Sequence, residues 1–209
     1  MLILDFDGVV ADTEPLNYEA WSVMFARELG LRHGGESSEL VGLTLDEIFL
    51  LWMAELPDVE TKERLLALKN EHYFALAGER LDPIAGSVEL VRRAIAAGWY
   101  TAIVSRSRRV RLLRTLDLIR FPAIFDVVLG YEDGMNTATD HKDHACAARL
   151  FGIDPAVCVV VEDSAQGVRD AVESGIGTVY GLTTSIAAAG LWAAGATQVV
   201  DRLDLVTLR

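Results

Sequence analysis

The sequence predicts an α/β fold: a doubly wound parallel sheet with a small all-helical segment inserted after the first strand. Three observations predict it. Short runs rich in β-branched residues alternate with helical patterns along most of the chain. Residues 14–82 break that rhythm and hold no good strand. Polar and acidic residues recur where the strands would end, which is where open α/β sheets place their ligands. With 209 residues, 51% of them hydrophobic, the chain is long enough for one such core and a small insertion.

The elements follow in order. The first run, Leu2–Asp7, ends in two carboxylates one residue apart, with Gly8 next. A strand places Asp5 and Asp7 on one side, and like charges that close call for a cation, a shared proton or water. Helical stretches follow at Leu16–Leu29, Leu45–Glu55 and Val59–Leu76, separated by "RHGGESSE" and "LPDVE". Trp21, Met24, Phe25 and Leu29 recur at helical spacing. Trp21, Phe25, Phe49 and Trp52 read as the core of this insertion. The expected division is therefore a core of residues 1–13 and 83–209 and a helical domain of 14–82. Further strands are predicted at Tyr100–Ser105, Asp126–Leu129, Cys158–Asp163, Thr178–Leu182 and, more weakly, Gln198–Asp201. Helices are predicted at Val88–Ala97, Val110–Leu118, Asp143–Phe151 and Ala165–Ser174. In the second of these the arginines read as a solvated face, with Leu112, Leu113 and Leu116 inward. Ser105 also reads as an N-cap for that helix.

A formal net charge of −12 argues against nucleic acid or an anionic membrane as partner, while leaving room for a small anion held by a metal and a few cations. The two cysteines, Cys146 and Cys158, form no disulfide framework, which predicts a reducing, cytoplasmic location. A strand predicted from the second residue leaves no signal or transit peptide to expect. No apolar run reaches the ~20 residues that span a bilayer. His141, His144 and Cys146 match no structural zinc spacing.

The strand ends supply the chemistry. Asp5 and Asp7 come from the first, Ser105 from the second, and Glu162 and Asp163 from "VVVEDSAQG"; Lys142 lies near a helix start in "TDHKDHA". Carboxylates, a hydroxyl and an ammonium suit a hard cation and a phosphate. Mg²⁺ takes oxygen ligands, with Asp5, Asp163 and the Asp7 carbonyl as donors and Glu162 beside them. Asp5 is then placed to attack phosphorus, Asp7 to give and take the proton, and Ser105 and Lys142 to hold the phosphoryl oxygens.

These residues carry a resemblance. "DFDGVVADTEP" resembles the first motif of the haloacid dehalogenase (HAD) superfamily, DxDGxxxDT/S; Ser105 matches the second, Lys142 the third and "EDSAQG" the fourth. The insertion resembles the helical cap of the branch that holds β-phosphoglucomutase and phosphoglycolate phosphatase. The resemblance implies a Rossmann-like core, a Mg²⁺ cofactor, Asp5 as nucleophile, Asp7 as acid/base, and a small phosphorylated metabolite as partner of a monomer or weak homodimer. The dehalogenases and phosphonatases of the family lack an aspartate at the place of Asp7. Around the lysine, relatives carry a GKPxPD-like stretch where this chain reads "ATDHKDHACAARLFG". The mutase pattern has a histidine and a cation where this chain has Asn17 and Leu45, which tilts the expectation to a phosphatase. Gly8, Glu14, Asn17, Gly42 of the Val41–Thr44 loop and Arg106 are the expected substrate contacts. A sugar-phosphate mutase is the near alternative. A receiver-like signalling domain has its phosphoacceptor on a later strand and no long insertion, and a silent binding protein on the same fold would lack something that this chain retains.

Overall fold

The computed structural model describes residues 1–32, 34–40, 43–136 and 141–208, with backbone alone for residues 37, 38, 134–136, 141 and 142. It divides into two compact units, Met1–Asp12 with Asp82–Arg209, and Thr13–Leu81.

The larger unit is built on a parallel sheet. Its strands are β1 (Leu2–Leu4), β2 (Thr101–Val104), β3 (Val127–Leu129), β6 (Val159–Glu162), β7 (Thr178–Leu182) and β8 (Gln198–Val200), in the order β3-β2-β1-β6-β7-β8. A two-stranded ribbon, β4 (Met135–Asn136) and β5 (His141–Lys142), stands apart. Helices α4 (Ser87–Ala96), α5 (Arg109–Leu118), α6 (Tyr131–Gly134), α7 (Ala145–Leu150), α8 (Ala165–Glu173) and α9 (Ala188–Ala193) connect the strands. β1 is wholly apolar and buried because it is central, flanked by β2 and β6 with Leu4 opposite Ile103 and Val161. Burying each such side chain stabilises the fold by about 1.5–3 kcal/mol. The position of β1 also decides where chemistry can gather: the carboxyl ends of β2, β1 and β6 are neighbours.

Sequence reading finds all six strands, usually a residue or two too long. The consequence is real at β1, which stops at Leu4. Asp7 lies in a tight loop, so strand alternation does not set its direction. Along α5 the inward face is also different from the expected one. Arg111, Leu112 and Thr115 are buried, whereas Leu113 is exposed. A partly buried charge partner holds Arg111 inward, as described below. The ribbon, α6 and α9 are too short to leave a periodic signal.

The smaller unit consists of α1 (Glu14–Leu29), α2 (Leu45–Met53) and α3 (Val59–Arg80). Its apolar residues meet as the helical spacing requires. Phe25 stacks on Trp52 at 4.7 Å and on Trp21 at 5.5 Å, while Phe49 meets Trp21 and Phe25 edge-on. The Lys69 ammonium lies 5.3 Å from the Trp21 ring centre and 5.2 Å from that of Tyr73. α1 ends where Gly30 takes a left-handed φ of 68°. α2 starts with a reciprocal cap, Thr44 and Glu47 each accepting the other's backbone N–H. Among the described residues no helix is long and apolar enough to cross a membrane.

Candidate active site

The site begins where β1 ends. The Asp5 N–H still donates to the Val161 carbonyl at 3.0 Å, so Asp5 is held against the end of β6. The next residues turn sharply: Phe6 O accepts from Val10 and Ala11, and Gly8 N donates to Ala11 O. Gly8 takes φ +75°, and a Cβ there would lie 1.7 Å from Asp163 Oδ2. Only glycine fits, through both its backbone conformation and its lack of a side chain. That close approach brings the two acidic strand ends together. Ligand oxygens of Asp5, Glu162 and Asp163 all lie within 4.8 Å of one another, and all three residues are buried.

Each carboxylate has a different setting. Ser185 Oγ donates to Asp163 Oδ2, and Thr184 Oγ1 donates to the Gly8 carbonyl at 2.6 Å. The turn after β7 thus fastens both sides of the Gly8–Asp163 contact. Glu162 is completely buried, with His144 Nε2 donating to its Oε1 at 3.0 Å. Gly167 leaves it space; a Cβ there would lie 2.0 Å from Glu162 Oε2. The donor set is hard, anionic and compact, so it fits a small divalent cation such as Mg²⁺. His144 engages Glu162 Oε1, as Ser185 engages Asp163 Oδ2.

Ser105, at the end of β2, is 2% exposed and anchored by its N–H to Leu129 O at 3.1 Å. Its Oγ accepts from the Ser107 N–H at 3.1 Å, which closes a local turn; the N-cap position of α5 belongs to Arg108, correcting the capping expectation. Asp7 is drawn to this same loop. Ser107 Oγ donates to Asp7 Oδ2 at 2.7 Å, and Arg111 grips both Asp7 oxygens, Nη2 to Oδ1 at 2.8 Å and Nη1 to Oδ2 at 3.1 Å. Sequence reading missed Ser107, Arg111, Thr184 and Ser185. For Arg111 a signal existed: it stands one turn after Ser107 on the face shared with Thr115.

Arg106 does not stand free beside Ser105. Its Nη2 pairs with Asp170 Oδ2 at 2.8 Å, and Gln166 Nε2 donates to the other Asp170 oxygen. Glu14 and Asn17 lie in the first two turns of α1, in the other unit. Gly42 and the Lys142 side chain lie outside the described residues; the Lys142 backbone pairs with Met135 in the ribbon. The cysteines are free thiols, and burial above all pushes Cys146 up to about 11, with the Asp143 charge adding to it. Burial also raises Cys158. Neither is an activated nucleophile.

The sequence profile of the haloacid dehalogenase-like hydrolases matches residues 2–180. The chain belongs to that family. This hydrolase is 28% identical over 194 residues to the phosphorylated carbohydrates phosphatase of Thermotoga maritima, covering 88% of this chain and 86% of that protein. It is also 28% identical over 173 residues to hexitol phosphatase B of Escherichia coli K12, covering 79% and 76%. Among solved structures it superposes on a β-phosphoglucomutase from Clostridium difficile with a TM-score of 0.81, at 20% identity, over 99% of this chain and 92% of that one. That last likeness concerns the fold.

Proposed function

We propose that the chain is a Mg²⁺-dependent phosphatase that hydrolyses small phosphorylated carbohydrates through an aspartyl-phosphate on Asp5. The observation that carries this reading is the buried convergence of Asp5, Glu162 and Asp163 at adjoining strand ends, with Ser105 on the strand beside them. The substrate class rests on the relatives named for phosphorylated carbohydrates and hexitol phosphates.

Asp5 and Asp163 would hold the metal, which when bound offsets their repulsion and the phosphoryl charge. One Asp5 oxygen bonds to phosphorus as the ester oxygen leaves, and Asp7 gives that oxygen its proton. Asp7 then takes a proton from water; the water oxygen bonds to phosphorus and the Asp5–phosphorus link breaks, giving orthophosphate and free Asp5. The Ser105 hydroxyl, already oriented by the Ser107 N–H, donates to a phosphoryl oxygen, with the Lys142 ammonium as its companion. Two free thiols suit a cytoplasmic location.

A screen of phosphate monoesters with Mg²⁺ tests this. Orthophosphate should appear from hexose or hexitol phosphates, stop on chelation and return with added Mg²⁺. Release indifferent to chelation would contradict the metal role. Isomerisation of β-glucose 1-phosphate with a bisphosphate primer, without free phosphate, would replace the phosphatase by a mutase.

A further inference from the structure

We infer that Arg111 is a positioning residue that fixes the Asp7 carboxylate for its proton transfers; this rests on the reading of Asp7 as the acid/base. Asp7 sits in a loop, beyond the end of β1, next to a residue in left-handed conformation. A loop carboxylate can rotate about its side-chain bonds. Here the Arg111 fork contacts both of its oxygens, and Ser107 Oγ receives from Arg111 Nη1 while donating to Asp7 Oδ2. Two bonds from one planar guanidinium set both the place and the plane of a carboxylate, which one bond from a lysine or serine does not.

The support behind Arg111 is rigid. It stands in the first turn of α5, whose Leu112 and Thr115 are wholly buried. Its own side chain is only 8% exposed, and that of Asp7 16%. An arginine this desolvated has to be paired, and its two-oxygen grip on Asp7 falls on the group that the reaction needs held still. The structure thus mounts a loop residue on a helix. In the second half-reaction water loses a proton to Asp7, its oxygen bonds to phosphorus, and the Asp5–phosphorus bond breaks. A wandering Asp7 slows that half. The first half with p-nitrophenyl phosphate needs no acid, because p-nitrophenolate leaves unprotonated.

Rapid mixing with p-nitrophenyl phosphate and Mg²⁺ separates the halves. Arg111→Met should keep a burst of p-nitrophenolate near the wild-type rate while steady turnover falls by about 10²-fold. Arg111→Lys, which keeps the charge without the fork, should lie between. Asp7→Asn should show the same burst and a deeper fall. If burst and turnover drop together in both Arg111 variants, the residue is merely structural and the inference fails. Unchanged turnover in both variants also overturns it. Wild-type turnover in Asp7→Asn would instead overturn the reading of Asp7 itself. Should Arg111→Met not fold, as read by circular dichroism, Arg111→Lys decides alone: a burst kept with slowed turnover supports the inference, and any other pattern sinks it.

Discussion

Gly8→Ala is the smallest change that attacks the site from the backbone. Gly8 has φ +75°, and a left-handed conformation costs an alanine about 1–2 kcal/mol. The larger effect is steric. The new Cβ would lie 1.7 Å from Asp163 Oδ2, 2.6 Å from its Cγ and 2.9 Å from Ser185 Oγ. Ordinary contact starts at 3.4 Å, so going from 1.7 to 3.4 Å means a relative retreat of about 1.7 Å. Asp163 would lose its spacing from Asp5, and the Ser185 bond would be strained. A misplacement of about 1 Å at a catalytic centre costs on the order of 10²-fold in rate. The backbone cost alone lowers Tm by only about 2–4 °C per kcal/mol for a chain of this size. Activity should therefore collapse in protein that is still folded, with half-saturation by Mg²⁺ moved to higher concentration. Turnover of p-nitrophenyl phosphate, Mg²⁺ titration and a thermal melt on the same preparation read all three. Wild-type turnover and Mg²⁺ response in folded Gly8→Ala protein would refute the argument that this glycine sets the acidic cluster.

Further outcomes follow from side chains away from that contact. Arg106→Met should leave the Asp170 carboxylate, 1% exposed, without its guanidinium and cost about 3 kcal/mol in a denaturant titration, with KM for p-nitrophenyl phosphate essentially unchanged; a KM raised tenfold at unaltered stability would show a phosphate contact instead. Cys146, with its pKa raised to about 11, should resist iodoacetamide at pH 8. Between about pH 9 and 11 the unfolded thiol ionises while the folded one stays protonated, so stability should fall as pH rises through that window, and Cys146→Ala should lessen the fall. Rapid alkylation of folded protein at pH 8 would contradict the burial argument.

The sheet was readable because a central parallel strand is buried on both faces and must be apolar throughout, as Leu2–Leu4 and Val159–Val161 are. Asp5, Ser105 and Asp163 were readable for a related reason: polar residues that end buried strands have few structural uses. The direction of Asp7 was not readable, because β1 stops at Leu4 and the period-two rule stops with it. Arg111 was hidden by an assumption about charge. Hydropathy places arginines outward, and the pairing with the Asp7 carboxylate helps make an inward guanidinium favourable. Thr184 and Ser185 come from a turn whose sequence looks like any other. Their role depends on β7 lying beside β6, which is a fact of topology. Arg106 was placed by adjacency to Ser105, but β2 ends at Val104 and the chain bends there, and the Arg106 guanidinium pairs with Asp170.

We propose Asp5 as the nucleophile that takes up the phosphoryl group, with Glu162 and Asp163 beside it to serve that step. Acid quench of the protein during turnover of p-nitrophenyl phosphate with Mg²⁺, followed by peptide mass mapping, tests this most directly. One phosphoryl group is expected on the peptide that carries Asp5, absent from Asp5→Asn protein, which should also have lost turnover. Steady turnover by Asp5→Asn at the wild-type rate, or a phosphoryl group on another residue, would contradict it.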